Sequence, residues 1–559
     1  MMGTKQLLII LSLLIACQVT NGQVWPRYYG LPNRTEFSHD VIESYDKGYI
    51  ILGNYLSQNF VQKASWIIKT DVNGEILWEK VLSNIALNKS FGLDQTLNGG
   101  FIICGGIWRQ GNNFSEPFVV KLNVCGEKEW CKVFAGSPNE MPWAIDIKET
   151  STGDIIVLVN MYGQYPEETM HLYKLDAWGN VLWKYPYASG FVHPNGANPL
   201  GSKITLTSAG KYLVTGDVYW RHPWEPGSPN YYIRPLFVLI DSLGNEEWVL
   251  PFGLNDTIIG TAKTTYEPLN NGQFISTGSY WIGSNYIKPF FMKYDILGNE
   301  ISFDIEEPTN FNPDFSEGAF TRIIQKDSSI YLQGLFELQP GNVYKVVNYE
   351  IDTGIFQNPL TINSSYFHEN VLDPYTLIEL SDNKLLSNAK DILTTPYDNI
   401  YLAKMNSNLE LDTLNPVNYT YDSLCIPGPP QSGVISLDAC DIVTHMDEIP
   451  TPEEYYAGLK TIPIKVFPNP VPKAFGNVVT FGFENTEYLP PAPPSVPPNG
   501  GKWPSLRIYN IYGEKVHEER IYRGQGESRL HVGSWPRGMY IAVVVNEGRI
   551  AGRAKFVVR

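Results

Sequence analysis

The chain has 559 residues, with 58 Asp/Glu against 42 Lys/Arg and a formal charge of −16, too long for one ordinary core unless a large closed fold absorbs most of it. Residues 461–559 hold thirteen Lys/Arg against seven Asp/Glu, so the rest of the chain carries −22. That excludes nucleic acid and anionic membrane as partners of the main body, since both require a cationic face.

With 48 Gly, 40 Pro, 34 Tyr and 14 Trp and no long stretch of capped helical periodicity, the chain is expected to be all-β. At the N-terminus, Lys5, the apolar run Leu7 to Ala16 and the polar Gln18 to Gln23 follow the order of a secretory signal. A run of that length cannot span a bilayer, and no later apolar stretch is long enough for a transmembrane helix. Cleavage after Gly22 would make Gln23 the first residue. Leu14-Ile15-Ala16-Cys17 resembles a lipoprotein box and would start the chain at an acylated Cys17. The sequence leaves both starts open.

A repeat follows. Its clearest copy, Ile67-Ile68-Lys69-Thr70-Asp71-Val72-Asn73-Gly74-Glu75-Ile76-Leu77-Trp78, is a strand, a tight turn and a strand with an aromatic. Its Asp/Asn marker returns at Asn123, Asp176, Asp241, Asp295, Asp352 and Asn406, at spacings of 52, 53, 65, 54, 57 and 54. A second strand pair around a Gly turn precedes each marker, as in Asp46-Lys47-Gly48-Tyr49-Ile50-Ile51. Four strands per repeat and seven repeats predict a seven-bladed β-propeller, whose radial stacking hides the sheet edges. The segment Gln23-Val24-Trp25-Pro26-Arg27-Tyr28-Tyr29-Gly30 resembles the outer strands around Trp130 and Trp248, so it is expected to complete the last blade and close the ring.

Export permits disulfides. Cys125 and Cys131 flank a turn, which pairs them across a hairpin, and Cys425 and Cys440 bracket a Pro/Gly-rich linker and form the second expected pair. Cys104, in an apolar run, is expected to be a buried free thiol. Asp71-Val72-Asn73-Gly74 and its relatives could offer oxygen ligands to calcium, but the same residues are what hairpin turns with positive φ require. No metal or other cofactor is expected. No Gly-x-Ser-x-Gly, His-Glu-x-x-His or phosphate-binding loop occurs, so no catalytic residue is assigned.

In a propeller, the connections between second and third strands and between blades share one face, and here they are long and varied, whereas the opposite turns are short and alike. Variable loops on a rigid scaffold are where binding resides. They are rich in aromatics: Trp108 and Arg109; Tyr219, Trp220, Arg221, His222 and Trp224; Tyr231 and Tyr232; Tyr280 and Trp281. Rings beside Arg suit a glycan or a protein partner. This face is the expected binding surface of a non-catalytic module acting in adhesion or carbohydrate binding. The alternative is a glycoside hydrolase or lyase using channel-facing carboxylates, with Asp40, Asp94, Asp146 and Glu379 as candidates on the inner strands.

From Ile462 the pattern changes to short alternating strands: Val466-Phe467-Pro468-Asn469-Pro470, Leu506 to Val516 with Tyr512-Gly513, Gly538-Met539-Tyr540, and a terminal Arg559. Pro490 to Trp503 reads as an inserted loop. These residues resemble the type A C-terminal sorting domain of the type IX secretion system, a small Ig-like β-sandwich. The resemblance implies export across the outer membrane by the type IX machinery, then release or attachment of the body to a surface glycolipid. The expected domains are a signal peptide over 1–22, the propeller over 23–420, a disulfide-bearing linker over 421–460 and the sorting domain over 461–559.

Overall fold

The computed structural model describes residues 25–558 apart from 32–33, 57–62, 84–86, 109–114, 136–141, 162–168, 190–198, 221–231, 253–258, 268–271, 283–285, 308, 310–314, 327–328, 339–342, 353–354, 365–375, 392–398, 413–416, 418–424, 426–430, 445, 459–463, 472–477, 485, 487–503, 511–513 and 547–548. Two compact units divide the chain, Met1–Thr451 and Pro452–Arg559.

Among the described residues of the first unit, seven antiparallel sheets succeed one another, each built on four consecutive strands except the last. Their first strands are Thr35–Glu43, Leu87–Gln95, Trp143–Glu149, Leu200–Leu206, Ile259–Tyr266, Phe315–Lys326 and Leu377–Glu379. The outer strands of sheets 1 to 6 are Ile76–Ser83, Lys128–Phe134, Val181–Tyr187, Glu246–Pro251, Glu300–Ile305 and Ile355–Ser364. Sheet 7 takes its outer strand from the other end of the chain: Arg27–Tyr29 pairs antiparallel with Asn399–Met405. This is the ring closure the N-terminal segment predicted, and the fold is a β-propeller. Middle strands are covered on both faces by neighbouring sheets, so Ser115–Leu122 is buried along its whole length and reads as a continuous apolar run.

The repeat has a local and a long-range cause. Asp71 Oδ1 accepts the amides of Asn73 and Glu75 at 2.8 and 2.9 Å. Asp176, Asp241 and Asp295 make the same two bonds, as do Asn123 and Asn406 through their side-chain carbonyls. These markers are therefore turn-formers: Oδ1 accepts backbone amides, and Oδ2 of the four aspartates accepts from the turn's own asparagine side chain. The glycine that follows, at φ +74° for Gly126 and +82° for Gly179, leaves room for the outer-strand tryptophan of the preceding sheet. A Cβ at Gly126 would lie 2.9 Å from the Trp78 ring, and one at Gly179 would lie 2.8 Å from Trp130. Trp130 Nε1 and Trp248 Nε1 also donate to the next sheet's turn carbonyls, Ala177 O and Ile296 O, at 3.1 and 3.0 Å. At the closure Trp25 and Tyr29 crowd Gly74 of sheet 1 in the same way, and Tyr29 Oη donates to Gly74 O at 2.9 Å. The repeated lysine pairs inside its own sheet: Lys69 with Asp46, Lys174 with Asp154 and Lys404 with Asp382, at 2.6, 3.2 and 2.7 Å.

Residues expected to form a linker are in part strands of the propeller. Gln431–Ser436 adds in parallel to the outer edge of sheet 1, and Asp441–Val443 adds in parallel to that of sheet 2. The disulfides hold this strap and correct the expected pairing: Cys125 bonds Cys425 and Cys131 bonds Cys440. Each cysteine of the 125–131 hairpin faces outward to the strap rather than across to the other. The first bond closes a loop of 300 residues; once it is formed, the second closes only a short ring and adds about 3 kcal/mol on the chain-entropy account. Cys104 is a buried free thiol whose pKa burial raises.

In the second unit, a three-stranded sheet of Ile464–Phe467, Val478–Phe483 and Glu527–His531 and a four-stranded sheet of Lys515–Arg520, Ser505–Asn510, Gly538–Asn546 and Arg549–Val558 enclose a core that includes Phe481, Ile508, Tyr540 and Phe556. Non-reducing peptide mapping of the mature protein should recover Cys125 linked to Cys425 and Cys131 linked to Cys440. A Cys125–Cys131 or Cys425–Cys440 peptide would contradict the strap.

Candidate functional site

At the centre of the propeller the first strands share a β-bulge, with register shifts at 38/40, 90/92, 144/146, 201/203, 262/264 and 320/322. The residues that resume the register are Asp40, Gly92, Asp146, Lys203, Thr264 and Arg322. Thr376 holds the corresponding place in sheet 7, four residues before the turn that begins at Leu380, as Asp40 lies four before Ser44. Bulges re-aim side chains, and here they send four charges inward. Lys203 Nζ lies 3.0 Å from Asp40 Oδ2 and 3.1 Å from Asp146 Oδ1. Asp40 also accepts from Thr376 Oγ1 and the Val41 amide, at 3.2 and 3.1 Å, and Asp146 Oδ2 accepts the Ile204 amide at 2.8 Å. Gly92 leaves room for the cluster's backbone, since a Cβ there would sit 2.8 Å from Asp146 Cα.

One tier toward the short turns, Lys148 lies 3.6 Å from Asp94, whose Oδ2 accepts the Glu149 amide at 2.9 Å. Burial pushes the Asp40 carboxyl up, but Lys203, Lys148 and Arg322 outweigh it and hold Asp40 below its usual range. Burial dominates at Asp94, which is raised despite Lys148. For Lys148, burial is outweighed by Asp94, Asp146 and Asp40, which keep its ammonium above the usual value. Burial lowers Arg322, against the pull of Asp40 and Asp146.

This is an ion network, and its chemistry is limited. Hydrolysis of a glycoside by two carboxylates needs one of them protonated against the leaving oxygen and a gap between them for sugar or water. Asp40 and Asp146 are instead bridged by one ammonium and tied to backbone amides. Glu379, the fourth candidate, is exposed in sheet 7. Lys148, Lys203 and Arg322 escape a search for catalytic acids. Their signal is positional: each lies at or two residues past the place four before the inner turn.

The aromatic residues fall into three groups. Trp108 is half-buried and stands edge-on to Trp143 of the next sheet at 4.3 Å between ring centres, so it packs one sheet onto the next. Tyr280 is a correction: it is 5% exposed in the core of sheets 4 and 5 with Phe237 and Phe290, not on a binding surface. The even alternation of its strand, Gln273–Ile282, turns it inward between the two sheets. Tyr219, Trp220, Tyr232 and Trp281 lie on strand ends bordering the long connections, pairing Tyr219 with Ile233, Trp220 with Tyr232 and Trp281 with Ile259. Arg109, Arg221, His222, Trp224 and Tyr231 lie outside the described residues.

A half-buried acid missed in the sequence sits on the same strand as this border. At the sixth position of the second strand, Asn54 and Asn160 each make a pair of hydrogen bonds to the next sheet's backbone, donating from Nδ2 to the carbonyl and accepting the amide at Oδ1 of Ser90 and Gly201 respectively. Sheet 4 has Asp217 there. Burial pushes its carboxyl up to about 6 against the attraction of Lys263, and burial lowers Lys263 in turn. The folded pKa is above the unfolded one, so between pH ~4 and ~6 the native state keeps a proton that the unfolded chain releases. Stability therefore falls as pH rises through that window, by up to about 3 kcal/mol. In the double variant Asp217→Asn, Lys263→Met the fall in stability between pH 4 and 7 should be smaller than in the unmodified protein by this contribution, in denaturation curves taken across that range; an unchanged slope would refute the assignment.

Residues 465–559 match the family model for the secretion system C-terminal sorting domain. No curated protein sequence matches the chain. Among solved structures it is similar to the polysaccharide lyase Uly1, at 10% identity over 66% of this chain and 90% of that one, with a TM-score of 0.42. It is also similar to an α-L-arabinanase of Penicillium chrysogenum complexed with arabinobiose, at 9% identity over 68% and 94%, with a TM-score of 0.33. A protein of unknown function from Bacteroides caccae is similar at 12% identity over 48% and 82%, with a TM-score of 0.30. Likenesses at this level assign neither activity nor ligand. The sorting domain does assign an address: the chain is a β-propeller protein bearing a type IX secretion C-terminal sorting domain, carried by that machinery across the outer membrane to the cell surface or the extracellular space.

Proposed function

We propose that the propeller is a non-catalytic binding module that captures a glycan or a protein outside the cell, on the face bearing the long connections. The observation that carries this reading is the inequality of the two faces. On one, the turns 44–48, 96–100, 150–154 and 207–211 repeat with the same pair of backbone bonds, from Ser44 and Lys47 to Thr207 and Gly210. On the other, the connections run from 84–86 to 188–199, with 221–231 between the strands of sheet 4, and such variation on a rigid ring is how one scaffold is fitted to a ligand.

The ion network supports binding over hydrolysis, because Asp40 and Asp146 spend their charge on one lysine, Lys203. Removal of the sorting domain after transport and attachment of the body to a surface glycolipid belong to the same proposal, as does a signal peptide over 1–22.

Tyr219, Trp220 and Tyr232 border the 221–231 connection, which contains Trp224. The test is a glycan and matrix-protein binding array with the full mature protein and with its Trp220→Ala, Trp224→Ala variant. If the two rings contact the ligand, their loss should weaken binding tenfold or more, while thermal unfolding, measured in parallel, stays unchanged. Equal binding by both forms would remove sheet 4 from the site, and release of reducing sugar from a bound glycan would replace the reading with the hydrolase alternative.

A further inference from the structure

The strap shows what the outer edge of a sheet in this protein accepts. It adds parallel fifth strands to sheets 1 and 2, and its Pro450 carbonyl takes the Lys184 amide at the edge of sheet 3. Two disulfides fix the strap to sheet 2. Among the described residues, no strand pairs with the outer edges of sheet 4 or sheet 5.

The edge of sheet 5, Glu300–Ile305, differs from the covered ones. Ile301 and Ile305 are 52% and 37% exposed, and Leu297, in the turn leading into the strand, is 73% exposed. Glu300, Asp304 and Glu307 are exposed among them, with Lys288 paired to Glu307. Apolar and acidic side chains thus alternate along an open strand edge, which is a template for strand addition unless something covers it.

We propose that the outer edge of sheet 5 takes an extended segment of a partner protein as a parallel fifth strand, with apolar side chains alternating with basic ones. Parallel addition follows the strap's two strands, and the surface continues round the ring from the edges the strap already occupies. Basic residues answer Glu300, Asp304 and Glu307. A second copy of this chain offering the same edge would set those carboxylates against their own kind.

The probe is a fluorescein-labelled eight-residue peptide alternating valine and lysine, titrated by anisotropy against the full mature protein. A valine–glutamate peptide and the variant Ile301→Ser, Ile305→Ser are the comparisons. Both isoleucines are exposed, so the variant should keep its circular dichroism and melting temperature, and its charge is unchanged, so unspecific attraction to an acidic protein persists in it. The proposal requires saturable binding of the valine–lysine peptide, at least tenfold weaker in the variant, and none of the valine–glutamate peptide. Equal binding of the two peptides, or binding unaffected by the variant, overturns it. So does a dimer of the unmodified protein in sedimentation that the same variant disperses, since the edge would then belong to a second copy.

Discussion

The tryptophan of one outer strand resting on the glycine turn of the next sheet is the contact on which the ring depends. It explains two features of the repeat at once. In the turns at Gly126, Gly179 and Gly298 glycine is favoured because φ is positive and because a side chain would crowd the ring behind it, and at Trp130 and Trp248 the indole covers the turn while its N–H satisfies a turn carbonyl. Large-to-small changes at fully buried rings cost about 3–5 kcal/mol, so the junctions built on the buried Trp78 and Trp25 each carry a sizeable share of the stability of a marginally stable fold. A circular array needs as many junctions as sheets, and the last is supplied by Trp25 and Tyr29 from the start of the chain, seated on Gly74.

Around that contact the ring is fastened from both sides. Inside, Asp40, Asp146, Lys203 and Arg322 come from sheets 1, 3, 4 and 6, so the Asp40 to Lys203 bond ties strands 163 residues apart. Buried charges of this kind are destabilising if one partner is lost and specify a single arrangement when all are present. Outside, the strap and its disulfides bind sheets 1 to 3 at their edges, a form of fastening that survives outside the cell, where thiols stay oxidised. The acidic excess of the propeller is left for its surface, and among exposed acids those on the edge of sheet 5 stand beside isoleucines.

The sequence made the local features readable. Asp71-Val72-Asn73-Gly74 and its copies announced the turns, Trp25 to Gly30 announced the closing strand, and Val466 to Pro470 with Gly538-Met539-Tyr540 announced the sorting domain, because each is a short pattern whose cause lies within a few residues. Features that join distant segments were not readable. Cys125 and Cys131 look like partners by spacing, yet their true partners lie 300 and 309 residues away. Asp40 and Asp146 looked like free acids because the lysine between them sits in another sheet. Tyr280 looked like a loop residue because the length of its strand, which decides that it points inward, is set by pairing with Tyr286–Asp295. Asp40 and Asp146 needed the third dimension to show their shared lysine, and Glu379, chosen by the same strand position, is exposed.

Hydrogen exchange on the intact protein and on Trp25→Ala tests the closing contact most directly. If the ring is held by tryptophan-on-turn junctions, loss of one should raise exchange together in Leu385–Asp391 and Asn399–Met405 of sheet 7 and in Tyr49–Leu56 of sheet 1, far from the mutated ring in sequence. Faster exchange confined to Arg27–Tyr29, with sheets 1 and 7 as protected as before, would show that the ring does not depend on that contact.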